Sequence, residues 1–246
     1  MTDGFIDIHH HLVYGLDDGA QTMEDAGAMM RAAAGAGTAV VIGTTHISPG
    51  IRPFDLEKYE RHLEEMRACC EREGIGLRLL GGCEMLYTAA ASHYLSDGRI
   101  PTLGGTAYVL VEFLPSIRFE SLYSALSDIL RNGYLPVVAH VERYDCLLKS
   151  PKKAAKVHDE LDVLFQMNCA TVLGGKGFLS DLRAKRLLDD GLIDIVASDA
   201  HNVSSRPTRM REAYAQLAQR YGSKTAAKLT GRSESGRFWS AIRDAL

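Results

Sequence analysis

The stretch FIDIHHHL, residues 5–12, sets a short aliphatic and aromatic run directly against a cluster of histidines. Extended backbone sends successive side chains to opposite faces, so His9 and His11 share one side while His10 points away from them. The same arrangement recurs down the chain. AVVIG (39–43) leads to His46, LRLLG (77–81) to Glu84, YVLV (108–111) to Glu112, LPVVA (135–139) to His140, and IDIVA (193–197) to Asp199 and His201. A further strand-like run, VLFQMN (163–168), belongs to the same series.

Helical patterns separate these runs. Thr22 is a plausible N-cap with Asp25 three positions on, followed by Met23, Ala26, Met29, Met30 and Ala33 on one face. Leu56 to Glu73 carries a stripe of Leu56, Tyr59, Leu63 and Met66. Further helices are predicted over Ser121–Arg131, Pro151–Leu161, Ser180–Asp190, Arg209–Tyr221 and Glu234–Ala245. Strands alternating with helices imply βα units and a parallel sheet. A parallel barrel gathers the carboxyl ends of its strands on one face, so ligands far apart in sequence would meet there. The glycines at 174, 175 and 177 do not form a P-loop, because Lys176 is followed by Gly177 rather than Ser or Thr. A flexible loop beside the site is the better reading.

The chain has 246 residues, 46% hydrophobic and 24% charged, which suits one large core. No repeat or Pro/Gly/Ser-rich linker divides it, so residues 1–246 are read as one domain. A net charge of -3 argues against binding long nucleic acid. The start lacks a basic segment followed by an apolar one, and no run approaches the ~20 apolar residues that span a bilayer. A cytoplasmic protein without membrane insertion is expected. Five cysteines without CxxC spacing suggest reduced thiols rather than a disulfide framework or zinc knuckle.

A histidine at one strand end is ordinarily a hydrogen-bonded core or rim residue. Histidines and acids at six strand ends together point to a metal site. The donors His9, His11, Asp18, His46, Glu84, Glu112, His140, Asp199 and His201 exceed the needs of one ion, so two or three divalent ions are implied, with Glu84 the natural bridge. Imidazole and carboxylate without thiolate favour Mn, Fe, Zn or Mg. Asp18 lies in a DDG turn, where a turn role for Asp17 and Asp18 competes evenly with ligation. His10, His62, His93 and His158 are read as solvated or structural.

Arg143 and Arg206 stand close in sequence to His140 and His201, and a guanidinium fork matches phosphate, so a phosphoryl substrate is expected. Arg52 and Arg118 are weaker candidates on loops. Metal ions that lower the pKa of water to about 7 would supply hydroxide for in-line attack on phosphorus. No cysteine is followed by five residues and an arginine, and neither a GxSxG elbow nor an aspartyl-phosphate DxD motif occurs.

The segments IDIHHHLVYGLDDGA, TTHIS, GGCEM, VEF, AHVERY and VASDAHN resemble the polymerase and histidinol phosphatase (PHP) superfamily, and within it the bacterial capsular-polysaccharide tyrosine phosphatases of the CpsB/YwqE type. The likeness covers essentially the whole chain. It implies an α/β fold, a distorted (β/α)7 TIM-like barrel, with a trinuclear centre commonly supported by manganese (Mn2+). It further implies hydrolysis of phosphotyrosine on a bacterial tyrosine kinase that regulates capsular or exopolysaccharide synthesis. By the resemblance, His9, His11, Glu84 and Asp199 hold one ion, Glu84, Glu112 and His140 a second, and Asp18, His46 and His201 a third. Arg143 and Arg206 match positions that bind phosphate and assist catalysis. After TTHIS the chain departs from many relatives, continuing Pro49, Gly50, Ile51 and Arg52, so substrate contacts on that loop are expected to differ. A small phosphomonoester such as histidinol phosphate is the alternative substrate. An amidohydrolase, which would want a bridging lysine where this chain has a strand-end Glu, or a non-catalytic metal-binding protein is the more distant reading.

Overall fold

A computed structural model describes residues 4–175, 177–233 and 235–246. Seven strands lie in sequence order: β1 (Phe5–His10), β2 (Thr38–Ile47), β3 (Arg78–Leu86), β4 (Tyr108–Glu112), β5 (Leu135–Val138), β6 (Leu164–Asn168) and β7 (Ile195–Ala197). Every pairing is parallel. The first and last strands approach one another just beyond their ends: Asp199 N–H donates to His9 O at 2.9 Å and His11 N–H to Ala200 O at 2.9 Å. Asp7 Oδ1 accepts from Ser198 N–H at 2.9 Å. These bonds bring the sheet nearly to closure as the expected (β/α)7 barrel.

The helices are α1 (Met23–Gly35), α2 (Leu56–Glu73), α3 (Ala91–Ser96), α4 (Phe119–Arg131), α5 (Asp145–Leu148), α6 (Pro151–Leu161), α7 (Cys169–Leu173), α8 (Phe178–Asp189), α9 (Met210–Tyr221), α10 (Ser223–Leu229) and α11 (Arg237–Asp244). Thr22 and Asp25 form the capping box that the sequence suggests. The bounds of α2 and α6 agree with the sequence reading, whereas α4 and α8 each begin two residues earlier than expected. Lys176, in the glycine loop, and Glu234, the expected start of the last helix, lie outside the described residues.

Alternation along each strand sorts the core into two sets. Val109, Val111, Val138, Phe165, Met167 and Val196 face outward and pack with helical residues such as Leu122, Leu126 and Leu187. Ile6, Ile8, Val40, Ile42, Leu110, Val137, Ala139, Ile195 and Ala197 face inward, and Phe238, Trp239 and Ile242 of α11 pack against them. Burying each such side chain contributes about 1.5–3 kcal/mol. The inward series then turns polar toward the carboxyl end of the strands. Val40 and Ile42 lead to Thr44 and His46, Leu110 to Glu112, and Gly82 to Glu84. At Gly82 a Cβ would come within 2.8 Å of Ile42 Cγ2, so only hydrogen fits at that layer.

β1 is the exception to simple alternation. Ile6 and Ile8 face inward, which would carry His10 inward as well. A register shift against β2 between Asp7 and His10 inserts one residue, reverses the alternation and turns His9 and His11 inward instead. The His10 side chain is left on the other side, where burial pushes its pKa down to about 3, while its backbone N–H donates to Thr44 Oγ1 at 2.9 Å.

His62 and His158 are structural and His93 is exposed. His62 stacks on Tyr14 at 3.9 Å between ring centroids. His158, on α6, lies with Nε2 3.0 Å from Asp194 Oδ2 and Nδ1 2.9 Å from Asp159 Oδ1. The bond with Asp194 raises its pKa to about 9 against the opposing effect of burial. A folded-state pKa above the unfolded one stabilises the fold fully below pH ~6.5, and this stabilisation is lost as pH rises through about 9. Denaturant unfolding at pH 6 and pH 10 is therefore expected to show about 1–2 kcal/mol more loss for the unsubstituted protein than for His158→Gln. Equal losses in the two proteins would remove the pair from the account.

Candidate metal centre

All nine donors inferred from sequence meet at the carboxyl end of the barrel. Glu84 lies at their middle, almost wholly buried at 1% exposure. Its Oε1 accepts from His140 Nε2 at 2.7 Å. Its Oε2 is 3.1 Å from His9 Nε2, 3.3 Å from His11 Nε2 and 3.2 Å from His46 Nδ1, yet it has no aligned hydrogen-bond partner among the described residues. Asp199 Oδ1 lies 3.5 Å from His9 Nε2 and 3.6 Å from His11 Nε2. His46 Nδ1 is 3.2 Å from Glu112 Oε1, and His140 Nε2 is 3.7 Å from Glu112 Oε2. Asp18 Oδ1 is 3.5 Å from His46 Nε2 and 3.3 Å from His201 Nε2.

Three overlapping sets have ligand atoms close enough to share one ion: His9, His11 and Glu84; His46, Glu84 and Glu112; and His11, Asp18, His46 and His201. The first holds three of the four residues implied by the resemblance and lacks Asp199; the second has His46 in place of His140, and the third adds His11 to Asp18, His46 and His201. In the other two, His46 and His11 are shared between neighbouring positions, while His140 engages the second oxygen of Glu84.

The imidazoles are aimed by partners outside the cluster. A ring nitrogen that donates to an acceptor leaves the other nitrogen's lone pair for a metal. His9 Nδ1 is 3.1 Å from Gln166 Oε1, His11 Nδ1 2.8 Å from Asp17 Oδ2, and His201 Nδ1 3.0 Å from the Asp199 carbonyl. His140 Nδ1 lies 3.3 Å from the Tyr144 hydroxyl, and Tyr144 itself accepts from Phe113 N–H at 3.1 Å. These rings all turn Nε2 into the cluster, and His201 Nε2, like Glu84 Oε2, is buried with no hydrogen bond among the described residues. Orphaned polar atoms of both kinds within one cluster suit divalent cations.

The DDG turn divides its labour. Asp17 fixes His11 and accepts from the backbone of Gly19 at 2.9 Å and of His46 at 3.0 Å. Asp18, with its side chain 62% exposed, reaches the His46 and His201 rings.

Charge within the cluster is closely balanced. Burial alone would push the Glu84 carboxyl up, but His9 and His140 beside it hold it well below the usual carboxylate range. Burial would lower His11, yet its bond to Asp17 and the nearby Glu84 carboxylate raise it to about 10. Burial, reinforced by His11, takes His201 down to about 4. Protons on some of these rings thus occupy the electrostatic place that divalent cations would take.

Two of the candidate donors adopt left-handed backbone. Of the described non-glycine residues, His140 (φ 33°), Asp162 (φ 50°) and Asp199 (φ 55°) have positive φ. Such conformations cost about 1–3 kcal/mol and persist where the surroundings enforce them. At His140 the turn redirects a side chain that would otherwise follow inward-facing Ala139 to the outside of the barrel.

Both arginines hold Asp199. Arg143 Nη2 donates to its Oδ2 at 2.5 Å and Arg206 Nη2 to its Oδ1 at 3.0 Å. Asn168 Nδ2 also donates to Oδ2, at 2.7 Å. Asn202 Oδ1 accepts from the backbone of Ser204, Ser205 and Arg206, which shapes the loop that delivers Arg206. Gln166, Asn168, Tyr144 and Asn202 escaped the sequence reading. Gln166 and Asn168 left a trace, being polar residues two apart in an otherwise apolar strand. Glu142 of HVERY is buried and braces β6, accepting from Asn168 N–H at 3.1 Å and Thr171 Oγ1 at 2.8 Å.

A parallel barrel with an imidazole and carboxylate cluster at the carboxyl ends of its strands, flanked by paired arginines, defines the PHP class of barrel. Over residues 5–235 the chain matches the family described as capsular polysaccharide synthesis, CpsB/CapC, and it belongs to that family. It is 33% identical to tyrosine-protein phosphatase CpsB of Streptococcus pneumoniae over 229 residues, covering 91% of this chain and 94% of the relative. It is 29% identical to tyrosine-protein phosphatase YwqE of Bacillus subtilis over 233 residues, covering 93% and 90%. A crystal structure from work on those two proteins, which describes them as metal-dependent tyrosine phosphatases, superposes with a TM-score of 0.86 at 28% identity, covering 97% of this chain and 94% of the other.

Proposed function

We propose that residues 1–246 form one metal-dependent protein-tyrosine phosphatase domain, with His9, His11, Asp18, His46, Glu84, Glu112, His140, Asp199 and His201 as metal ligands. The observation that carries this is Glu84 Oε2, unpaired and buried within 3.3 Å of three imidazole nitrogens. A carboxylate so placed is disposed to bridge ions. Two or three divalent ions fit the donor count, and manganese suits the oxygen and nitrogen donors. Bound there, such ions would supply an activated water at neutral pH and positive charge beside the phosphoryl group. Arg143 and Arg206 each keep N–H donors beyond those spent on Asp199, and these would bind the phosphoryl oxygens as negative charge accumulates on them. Asp199 holds both guanidinium groups at the lip of the cluster, so little ordering is needed when substrate arrives.

The kinship supports phosphotyrosine on a bacterial tyrosine kinase of capsule or exopolysaccharide synthesis as the substrate. No helix among the described residues is long and apolar enough to cross a membrane, which is consistent with action on such a partner from the cytoplasm. Phosphate release with added manganese should be compared for a phosphotyrosyl peptide, a phosphoseryl peptide and histidinol phosphate, with His140→Ala as control. Preferential turnover of the phosphotyrosyl peptide, at least about tenfold and abolished by EDTA and by His140→Ala, is the expected result. Preference for histidinol phosphate would leave the metal centre standing and remove the proposed substrate.

A further inference from the structure

The donor cluster opens in two directions. Beside Arg143, Asp199 and Arg206 lies a recess of about 300 Å³, bordered by Gly174 and Gly175. Its guanidinium groups suit a phosphoryl group rather than an aromatic ring. A second groove of about 800 Å³ is lined by Asp18, His46 and Glu112 of the cluster together with Leu16, Phe54 and Leu86. Ile51, 64% exposed, Arg52 and Lys58 also line it. Apolar walls leading away from a charged cluster suit the ring and neighbouring backbone of a tyrosyl ester.

The other charges lining the groove are not equivalent. Lys58 Nζ donates to Gly15 O at 2.7 Å, and Asp55 Oδ1 caps α2 by accepting from Lys58 N–H at 2.9 Å. The Arg52 backbone N–H donates to Ser48 O at 3.1 Å, while its side chain is exposed and makes no hydrogen bond or ion pair among the described residues. It is the uncommitted cation of the groove, in a chain whose net charge is -3. We propose that this groove receives the segment of a partner protein that flanks the phosphotyrosine, and that Arg52 selects segments with Asp or Glu beside the modified tyrosine. The proposal rests on the phosphatase reading.

The test is kcat/KM for phosphotyrosyl peptides identical except that the residues on both sides of the tyrosine are Glu, Gln or Lys, using manganese-loaded protein and its Arg52→Glu variant. The unsubstituted protein is expected to favour the Glu peptide over the Lys peptide by roughly fivefold, in keeping with one partly exposed ion pair. Arg52→Glu is expected to bring that ratio to one or below. Equal rates on Glu and Lys peptides, or a ratio that survives Arg52→Glu, would overturn the groove assignment while leaving the phosphatase intact. Failure to turn over any of the peptides or free phosphotyrosine would overturn both.

Discussion

Glu84→Gln is expected to lower turnover of a phosphotyrosyl peptide by at least about a thousandfold and to reduce the metal that copurifies with the protein. The substitution keeps shape and volume, so the barrel should fold. What it removes is the negative charge that offsets His9, His11 and His46, together with an oxygen shared by two of the three donor sets. An amide offers one weak acceptor in place of a bridging carboxylate, and its NH2 group would repel a cation. Metal content by elemental analysis and kcat on the same preparation decide the matter. A variant with full metal content and more than a tenth of the activity would show that Glu84 does not bridge. Glu142→Gln is the useful comparison, since Glu142 is also a buried glutamate but braces β6 instead.

Gly19→Ala is expected to destabilise the protein by about 2–4 kcal/mol and to impair metal binding as well. A Cβ at Gly19 would fall 1.9 Å from His11 O and 2.5 Å from His11 Cβ. Both are on or next to backbone and cannot swing aside. Gly19 and Ala20 also tie the turn down, through Gly19 N–H to Asp17 Oδ1 at 2.9 Å and Ala20 N–H to His11 O at 3.0 Å. Displacing that loop moves His11, the Asp17 carboxylate that aims it and Asp18 together. Thermal unfolding with EDTA and with manganese separates the effects: the midpoint should fall by roughly 5–10 °C in EDTA, and the shift that manganese gives the unsubstituted protein should be largely lost. An unchanged manganese shift would mean that the turn serves stability alone.

How far the sequence could be read depended on the range of the forces involved. Strands were legible because Val40, Val41, Ile42 and their counterparts form short apolar runs that end in His or acid. The longer helices α2 and α6 were legible from periodicity and a Pro at the first helical position. The short helices α3, α5, α7 and α10 span too few residues to show a period. In β1 local alternation misleads, because Ile6 and Ile8 in phase would choose His10; the slip against β2 that selects His9 and His11 is a property of two strands together. Whether Asp18 is a donor or a plain turn residue was open for a like reason, since it turns on where the rings of His46 and His201 stand. Gln166 was hidden because it orients His9, held on another strand, and Tyr144 because a buried tyrosine four residues from His140 reads as ordinary core.

The seam between the first and last strands carries a consequence for how the protein is made. It is formed by Asp7, His9 and His11 on one side and Ser198, Asp199 and Ala200 on the other, nearly two hundred residues apart. A nascent chain on the ribosome can pair its early strands as they emerge, but His9 and His11 wait for partners translated near the end of synthesis. Contacts of such sequence separation form late and slowly. The full donor cluster is thus a feature of the finished polypeptide, and a cell that interrupts translation before Ala200 releases a chain with neither a closed barrel nor all nine donors.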